Sequence, residues 1–448
     1  MTTDFTKGSP AKHIFLFTLP YLIGYLFQQF YNIVDTVIVG RFLGPEALAA
    51  VGSTGGLVWF ANGAIVSLTT GFSAVIAQYF GANLNDKMKS SFGMSIGLSA
   101  VISISLSTVC SIFAMPILRI LKTPEEIIEM SYGYVIWIFI GLVASALFNL
   151  LSNAIRALGD SKTPLVFLVI ACFINIVLDI VFITAFKMGP AGAGLATVIA
   201  QLISGLLCIV YIIRKQPLLH ITAENLRLDM SLVYQLLHIG VPMALLNMLL
   251  SLGTIVMQFV NNMLGTVFIA SQTAAAKVEQ FVTQPLLSLG SATAVFVAQN
   301  KGAKRYDRII EGSKKANLMG LGWCVIITVI MLLFGRFFLG LIVGDEPEVI
   351  AHGYLYIVIN TVFCFIVSLV IIIKNILQTL GHAFIPIFSG VLEILGRAGA
   401  ALGAFALFSV ESLQFRGICF ANPLAWLFGL IPLIIDYAIT MKKLRKMQ

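Results

Sequence analysis

The sequence predicts an all-α membrane protein, with twelve transmembrane helices in two pseudo-symmetric six-helix bundles around a central cleft. Three observations lead to this fold class. Hydrophobic residues make up 59% of the 448 residues and charged residues only 11%, which is far more apolar than a soluble globular protein. Apolar runs long enough to cross a bilayer recur along the whole chain. The second half of the chain also repeats the pattern of the first half.

The apolar runs are separated by polar residues or by clusters of glycine and proline. Prolines inside the runs, such as Pro20 and Pro242, do not exclude helices, because broken helices are tolerated in membrane bundles. The predicted spans are 14–39, 48–79, 91–118, 130–156, 164–186, 191–213, 232–261, 268–299, 316–343, 350–378, 384–408 and 415–440.

The two halves match each other at an offset of 221–222 residues. Segments 19–20, 77–82 and 153–160 resemble segments 241–242, 298–303 and 375–382. Six spans in each half is an even number, so both halves enter the membrane in the same direction, as in transporters built from parallel repeats. The predicted domains are an N-terminal six-helix lobe at 1–213, a cytoplasmic linker at 214–231 and a C-terminal six-helix lobe at 232–448.

The distribution of basic residues predicts the orientation of the chain. Most of the 28 lysine and arginine residues fall in loops that are on one side of the membrane when the N-terminus is inside. This bias predicts cytoplasmic termini. We therefore expect a multi-pass protein of the bacterial cytoplasmic (inner) membrane, monomeric and surrounded by lipid bilayer. The net charge of +8 is interpreted as loop charge that sets topology, and we expect no nucleic-acid partner.

Several function classes lack their motifs. The sequence contains no GxxxxGK[ST] phosphate loop, no HExxH and no GxSxG, so we expect neither an enzyme nor a nucleotide-powered pump. The six cysteines all fall in apolar runs and lack CxxC spacing, which favours reduced core thiols over disulfides or a metal site. We expect no cofactor.

Two aspartates in the first half are the main functional candidates. Asp35 falls late in the first span, and Asp179 falls in the fifth span four residues after Asn175. Ionisable residues within a membrane are costly and usually functional. With the predicted orientation, these residues share a depth with Thr197 of the sixth span. Two carboxylates with amide and hydroxyl oxygens are suited to bind a proton or Na⁺.

The repeat provides an internal comparison for these aspartates. At an offset of 222, Met257 and Ala401 stand where the first half has Asp35 and Asp179. The shared scaffold therefore does not require the carboxylates, and this favours a functional role. The alternative is that each acid only bonds a neighbouring helix, a role that polar residues often have in membrane bundles.

The second half has its own charged residues in predicted spans. Glu393 and Arg397 are spaced i, i+4 and are predicted to pair, which would neutralise both charges. Glu279 falls near the middle of its span and either lines the cleft, where it would meet a cationic substrate, or pairs with Lys374 or Lys277.

These features together resemble a known family. The resemblance rests on Pro20 with 32–35 in the first span, on 77–82 after the second, on 156–160 after the fourth and on 175–179 in the fifth. The sequence is similar to the multidrug and toxic compound extrusion (MATE) family, nearest to the prokaryotic branch of DinF-like exporters. The resemblance covers nearly the whole chain.

The resemblance implies export that is coupled to entry of H⁺ or Na⁺ through an acidic site in the N-terminal lobe. The residues to which it assigns this site are Asp35, Asn175, Asp179 and Thr197, with Asn153 of the fourth span also fitting the pattern. The NorM-like branch is thought to use acids on its seventh and tenth helices. Here the seventh span has no acid and the tenth offers Lys374, so coupling through the N-terminal lobe is favoured.

The predicted function is a secondary active multidrug efflux antiporter that works by alternating access. It would export amphipathic, often cationic organic compounds or drugs in exchange for H⁺ or Na⁺. Pro20 is a candidate hinge, because proline weakens a helix, although a static kink is the alternative. Candidate residues of the substrate cavity are Phe27, Tyr31, Met257, Gln258 and Glu279.

Two other functions remain open at this point. One is a flippase for a lipid-linked saccharide, which would be expected to line its cleft with several basic residues. The centres of the first-half spans contain none, which disfavours this alternative. The other is a channel or receptor without coupled transport.

Overall fold

The computed structural model describes residues 3–261 and 266–448, and all their side chains except those at 252, 254–261 and 266. Every regular element in these ranges is helical. The chain divides into two compact units. The first unit consists of Met1–Thr6 and Leu19–Met248, and the second consists of Lys7–Thr18 and Leu249–Gln448.

The first unit takes most of its helices from the first half of the chain. The apolar runs form these helices because a helix satisfies all backbone hydrogen bonds within one segment. They are α1 (Pro10–Leu43), α2 (Pro45–Gly81), α3 (Asn85–Ile120), α4 (Glu125–Ile140), α5 (Leu142–Ala157), α6 (Lys162–Ile180) with a π turn at Val181–Ala185, α7 (Pro190–Lys215) and the first part of α8 (Met230–Asn261). Two short 3₁₀ turns, Pro217–Leu219 and Ala223–Leu226, precede α8.

The second unit contains the remaining helices and the beginning of α1. Its core is a cluster of buried aliphatic, aromatic and cysteine side chains. The helices are α9 (Thr266–Gly302), α10 (Tyr306–Val343), α11 (Pro347–Val362), α12 (Cys364–Thr379), α13 (Phe384–Leu407), α14 (Glu411–Cys419) and α15 (Ala421–Lys446).

The predicted membrane spans are confirmed. Ten helical segments of the described chain are long and apolar enough to cross a membrane, and two bent pairs, α4 with α5 and α11 with α12, bring the number to twelve. Most helices extend a few residues beyond the predicted spans. The largest extension is in α10, which begins at Tyr306 and is 38 residues long.

Two spans bend at matching positions of the repeat, and the sequence did not predict these breaks. The α4–α5 pair bends by 42° at Gly141, and the α11–α12 pair bends by 51° at Phe363. These two positions are 222 residues apart, the same offset that relates the two halves of the sequence. The bend therefore belongs to the repeated scaffold rather than to one local glycine.

Close helix packing in the first unit depends on a pair of glycines. Gly71 of α2 lies against the backbone of Gly240 of α8, and a Cβ atom on Gly71 would overlap Gly240. Small residues allow such close approach of helices in membranes.

We expect Gly71→Ala to lower stability by about 1–3 kcal/mol, because the added methyl group overpacks a backbone contact. The unfolding midpoint of the purified protein in detergent measures this effect. Gly97→Ala in α3 is the matched control, because a Cβ atom there has open space around it. A loss of stability as large in the control would contradict the explanation from packing.

Candidate functional site

Asp35 and Asp179 come together inside the first unit. Asp35 of α1 is 9% exposed and Asp179 of α6 is fully buried. Their carboxyl groups lie within hydrogen-bonding reach of each other. Two carboxylates in contact away from water repel, so the pair needs a shared proton or a bound cation.

Neutral polar side chains complete one side of this pair. The Asn175 amide is one helical turn before Asp179 and is 1% exposed. Its Nδ2 donates to Oδ2 of Asp179 at 3.2 Å, and its Oδ1 accepts from the backbone nitrogen of Thr197 on α7 at 3.2 Å. Asn175 therefore links the carboxyl group of one helix to the backbone of the next.

Two tyrosines lie beside the same cluster. The Tyr31 hydroxyl is 3.2 Å from the Thr197 hydroxyl. Tyr31 and the buried Tyr134 of α4 both interact electrostatically with Asp35 and Asp179. Tyr31 was predicted only for the substrate cavity, and Tyr134 was not predicted from the sequence. A lone tyrosine in an apolar run gives little signal, since tyrosine is common in membrane helices.

The cluster has oxygen atoms left to bind an ion. Oδ1 of Asp35 and Oδ1 of Asp179 are buried, and no donor in the described part of the chain bonds to them. Buried polar atoms normally have a partner. Carboxylate, amide and hydroxyl oxygens are suitable ligands for a small hard cation, and a carboxyl oxygen can equally hold a proton. The site therefore fits either ion.

Apolar packing surrounds these polar groups. A buried cluster of side chains from α1, α2, α4, the π turn and α7 lies next to the pair. Low polarity around the carboxylates strengthens every electrostatic interaction in the site. The π turn at Val181–Ala185 begins two residues after Asp179, and such turns occur frequently at functional sites. The members of the cluster are Ile38, Val39, Ala47, Tyr134, Ile138, Ile183 and Ala193.

Asn153 belongs to a different group of polar residues. Its Nδ2 lies 3.4 Å from the Thr69 hydroxyl and 3.3 Å from the Thr70 hydroxyl. Its Oδ1 accepts from Arg156 at 3.2 Å. These contacts link α5 to α2. The structure therefore brings Asp35, Asn175, Asp179 and Thr197 together and places the Asn153 amide in another set of bonds.

The remaining candidates lie at separate positions. Phe27 is half-buried on α1, and Pro20 lies inside α1, which stays helical on both sides of it. The side chains of Met257 and Gln258 lie outside the described residues. Glu279 lies in the second unit, where it accepts a hydrogen bond from Tyr356 at 3.2 Å.

The predicted Glu393–Arg397 pair is wrong. Glu393 of α13 forms its ion pair with Lys374 of α12 at 2.6 Å, and both side chains are buried. The two charges lie on different helices that face each other. Spacing along one helix does not reveal such a contact. Lys374 is therefore not the partner of Glu279, and Arg397 is one of the groups that interact electrostatically with Glu279.

Comparison with known proteins identifies a family whose sequence model matches this chain. The sequence model of a family described as MatE matches residues 20–181 and 242–396. These two matches begin 222 residues apart, one in each half of the repeat.

Curated relatives and solved structures match along most of the chain. The probable multidrug resistance protein YoeA of Bacillus subtilis is 28% identical and covers 99% of this chain and 96% of its own length. YpnP, another probable multidrug resistance protein of the same organism, is 28% identical, and the match covers 91% of this chain and 94% of the length of YpnP. A crystal structure of MATE in complex with MaL6 has a TM-score of 0.91 at 20% identity, covering 99% of both chains.

Proposed function

The chain belongs to the MatE family of membrane transporters, and on this premise we propose that it is a secondary active antiporter. It exports amphipathic, often cationic organic compounds in exchange for H⁺ or Na⁺ by alternating access. The coupling site is the cluster of Asp35, Asp179, Asn175 and Thr197. No chemical reaction is involved, and the only species beside the exported compound is the coupling ion.

The contact between the two buried carboxyl groups is the observation that supports this proposal. A negative pair in apolar surroundings is unstable unless a proton or cation neutralises it. Ion entry removes this repulsion and allows the helices that carry Asp35 and Asp179 to pack closely. Ion release restores it. The two ionic states thus favour different helix arrangements, which is the requirement for coupling one transport step to another.

The proposed substrate class follows from the relatives and from charge. YoeA and YpnP are named as probable multidrug resistance proteins. In the second unit, the positive charge of Lys374 is neutralised by Glu393, and Arg397 interacts electrostatically with Glu279. Because both basic groups have acidic neighbours, this arrangement disfavours the anionic lipid carriers that a saccharide flippase would bind. We further propose a bacterial inner membrane location with cytoplasmic termini.

Efflux from proteoliposomes tests the coupling. The purified full-length protein is reconstituted, ethidium is loaded, and a pH gradient or a Na⁺ gradient is imposed separately. We expect one gradient to drive efflux by wild type and neither to drive it by Asp35→Asn. Asp86→Asn is the matched control, because Asp86 is an exposed carboxylate of the same unit. Gradient-independent efflux, or full activity of Asp35→Asn, would contradict the proposal.

A further inference from the structure

Two cysteines of the second unit lie in direct contact. The sulfur atoms of Cys324 on α10 and Cys364 on α12 are 3.2 Å apart. Both residues are buried, with exposed fractions of 4% and 1%. They are free thiols. Their separation of 40 residues in sequence gave no indication of this contact.

The thiol pair lies at the break between α11 and α12. Cys364 directly follows Phe363, where the two helices bend by 51°. The other side of the break also contacts α10, because the Thr328 hydroxyl donates to the backbone oxygen of Thr361 at 2.8 Å. Thr328 is four residues after Cys324 and shares its face of α10. Helix α10 therefore holds both arms of the bent span.

A small cavity borders one of the two thiols. Cys364 lines it together with Glu279 of α9 and Trp426 of α15. The cavity volume is about 10 Å³, which is room for about one water molecule.

We propose that Cys324 and Cys364 form a redox-sensitive pair, which a hydroperoxide converts into a disulfide that fixes the bend between α11 and α12. The sulfurs must approach from 3.2 Å to about 2.05 Å.

The chemistry consumes one peroxide for each disulfide. The sulfur of Cys364 attacks a peroxide oxygen, an S–O bond forms, the O–O bond breaks, and the thiol proton leaves with the departing oxygen. The sulfur of Cys324 then attacks the sulfenic sulfur, the S–S bond forms, and the hydroxyl leaves as water with the second thiol proton. Two thiols lose two electrons, and hydrogen peroxide is reduced to two water molecules.

The first half of the chain shows that the shared scaffold does not need this pair. At the repeat offsets of 221 and 222, Ser103 and Leu142 stand where the second half has Cys324 and Cys364. The α4–α5 span bends there without thiols. The cysteines are thus an addition specific to the second break.

Thiol counting and peptide mapping test the disulfide directly. The full-length protein in proteoliposomes is treated with hydrogen peroxide, denatured, and reacted with a maleimide polymer that shifts its mobility once for each free thiol. We expect wild type to lose two of its six thiols, to yield a linked peptide that contains both cysteines, and to recover with dithiothreitol. Cys324→Ser should lose this response, whereas Cys208→Ser in the first unit should keep it.

Two results would overturn the assignment. One is the absence of the linked peptide from oxidised wild type. The other is the same reversible thiol loss in Cys324→Ser as in wild type. Neither readout depends on transport, so failure of the proposed antiport would leave this test intact.

The effect on transport rests on the proposed function and has its own measurement. If the bend must change during the cycle, oxidised wild type should show efflux lowered by about fivefold or more, with recovery after reduction. Cys324→Ser should be insensitive to peroxide. If protein with a fully formed disulfide showed unchanged efflux, the claim that the disulfide slows transport by fixing the bend would be contradicted.

Discussion

Asp179→Asn is expected to lower gradient-driven efflux by about 10- to 100-fold, the range of a coupling free energy of about 1–3 kcal/mol. The substitution keeps the shape of the side chain but removes the charge that binds the coupling ion. Asp179 is fully buried and contacts Asp35, and Asp35 alone does not form the carboxylate pair that holds the ion. Initial rates of ethidium efflux under an imposed gradient measure the loss.

The double variant separates a shared ion site from two independent roles. Residues that act as one unit show strongly non-additive effects. Asp35→Asn with Asp179→Asn should therefore lose little more activity than either single variant. If the loss of efflux in the double variant equalled the product of the losses in the two single variants, a common site would be contradicted.

Thermal unfolding distinguishes this role from a structural one. Removing one of two contacting carboxylates removes repulsion, so the unfolding midpoint of Asp179→Asn should equal or exceed that of wild type. A lowered midpoint together with lost efflux would indicate that Asp179 mainly supports the fold.

Lys374→Met is expected to destabilise the protein by about 3–5 kcal/mol, because it leaves Glu393 buried without a compensating charge. The two groups are 2.6 Å apart, with 10% and 6% of their side chains exposed. Unfolding of the purified protein in detergent gives the change in stability. Glu393→Met should cost a similar amount for the same reason.

Combining the two substitutions should restore most of the lost stability. A buried ion pair replaced on both sides by apolar groups of similar size is often neutral or stabilising. The exposed Arg305–Asp307 pair, at 2.9 Å, is the comparison, and Arg305→Ala should leave the unfolding midpoint unchanged. If the double variant were less stable than both single variants, the explanation from an unpaired charge would be wrong.

The sequence predicted the spans well because long apolar runs depend only on composition. It missed the beginning of α10 at Tyr306, since the first turns there are polar and lie outside the apolar run. The breaks at Gly141 and Phe363 were also missed. A glycine or a phenylalanine within an apolar run is no reliable signal for a bend, because membrane helices tolerate both residues.

The sequence predicted those residues of the candidate site whose charge is energetically costly within a membrane. Asp35 and Asp179 stood out because carboxylates are rare in apolar runs, and the structure places them in contact. Which side chains on facing helices meet was not predictable. Glu393 pairs with Lys374 across two helices, and Tyr134 lies near both aspartates; neither contact follows from spacing along one helix.

The length of α10 has a mechanical consequence. Its 38 residues extend over about 57 Å, whereas the hydrocarbon core of a bilayer is about 30 Å thick. Up to about 27 Å of the helix therefore projects beyond the hydrocarbon core. A change in tilt of about 10°, which is well within the range of membrane helices, would displace the end of this projecting segment by about 5 Å. Because the projecting end moves farther than the membrane-embedded part, spectroscopic labels near Tyr306 would report small rotations of the helix as measurable displacements.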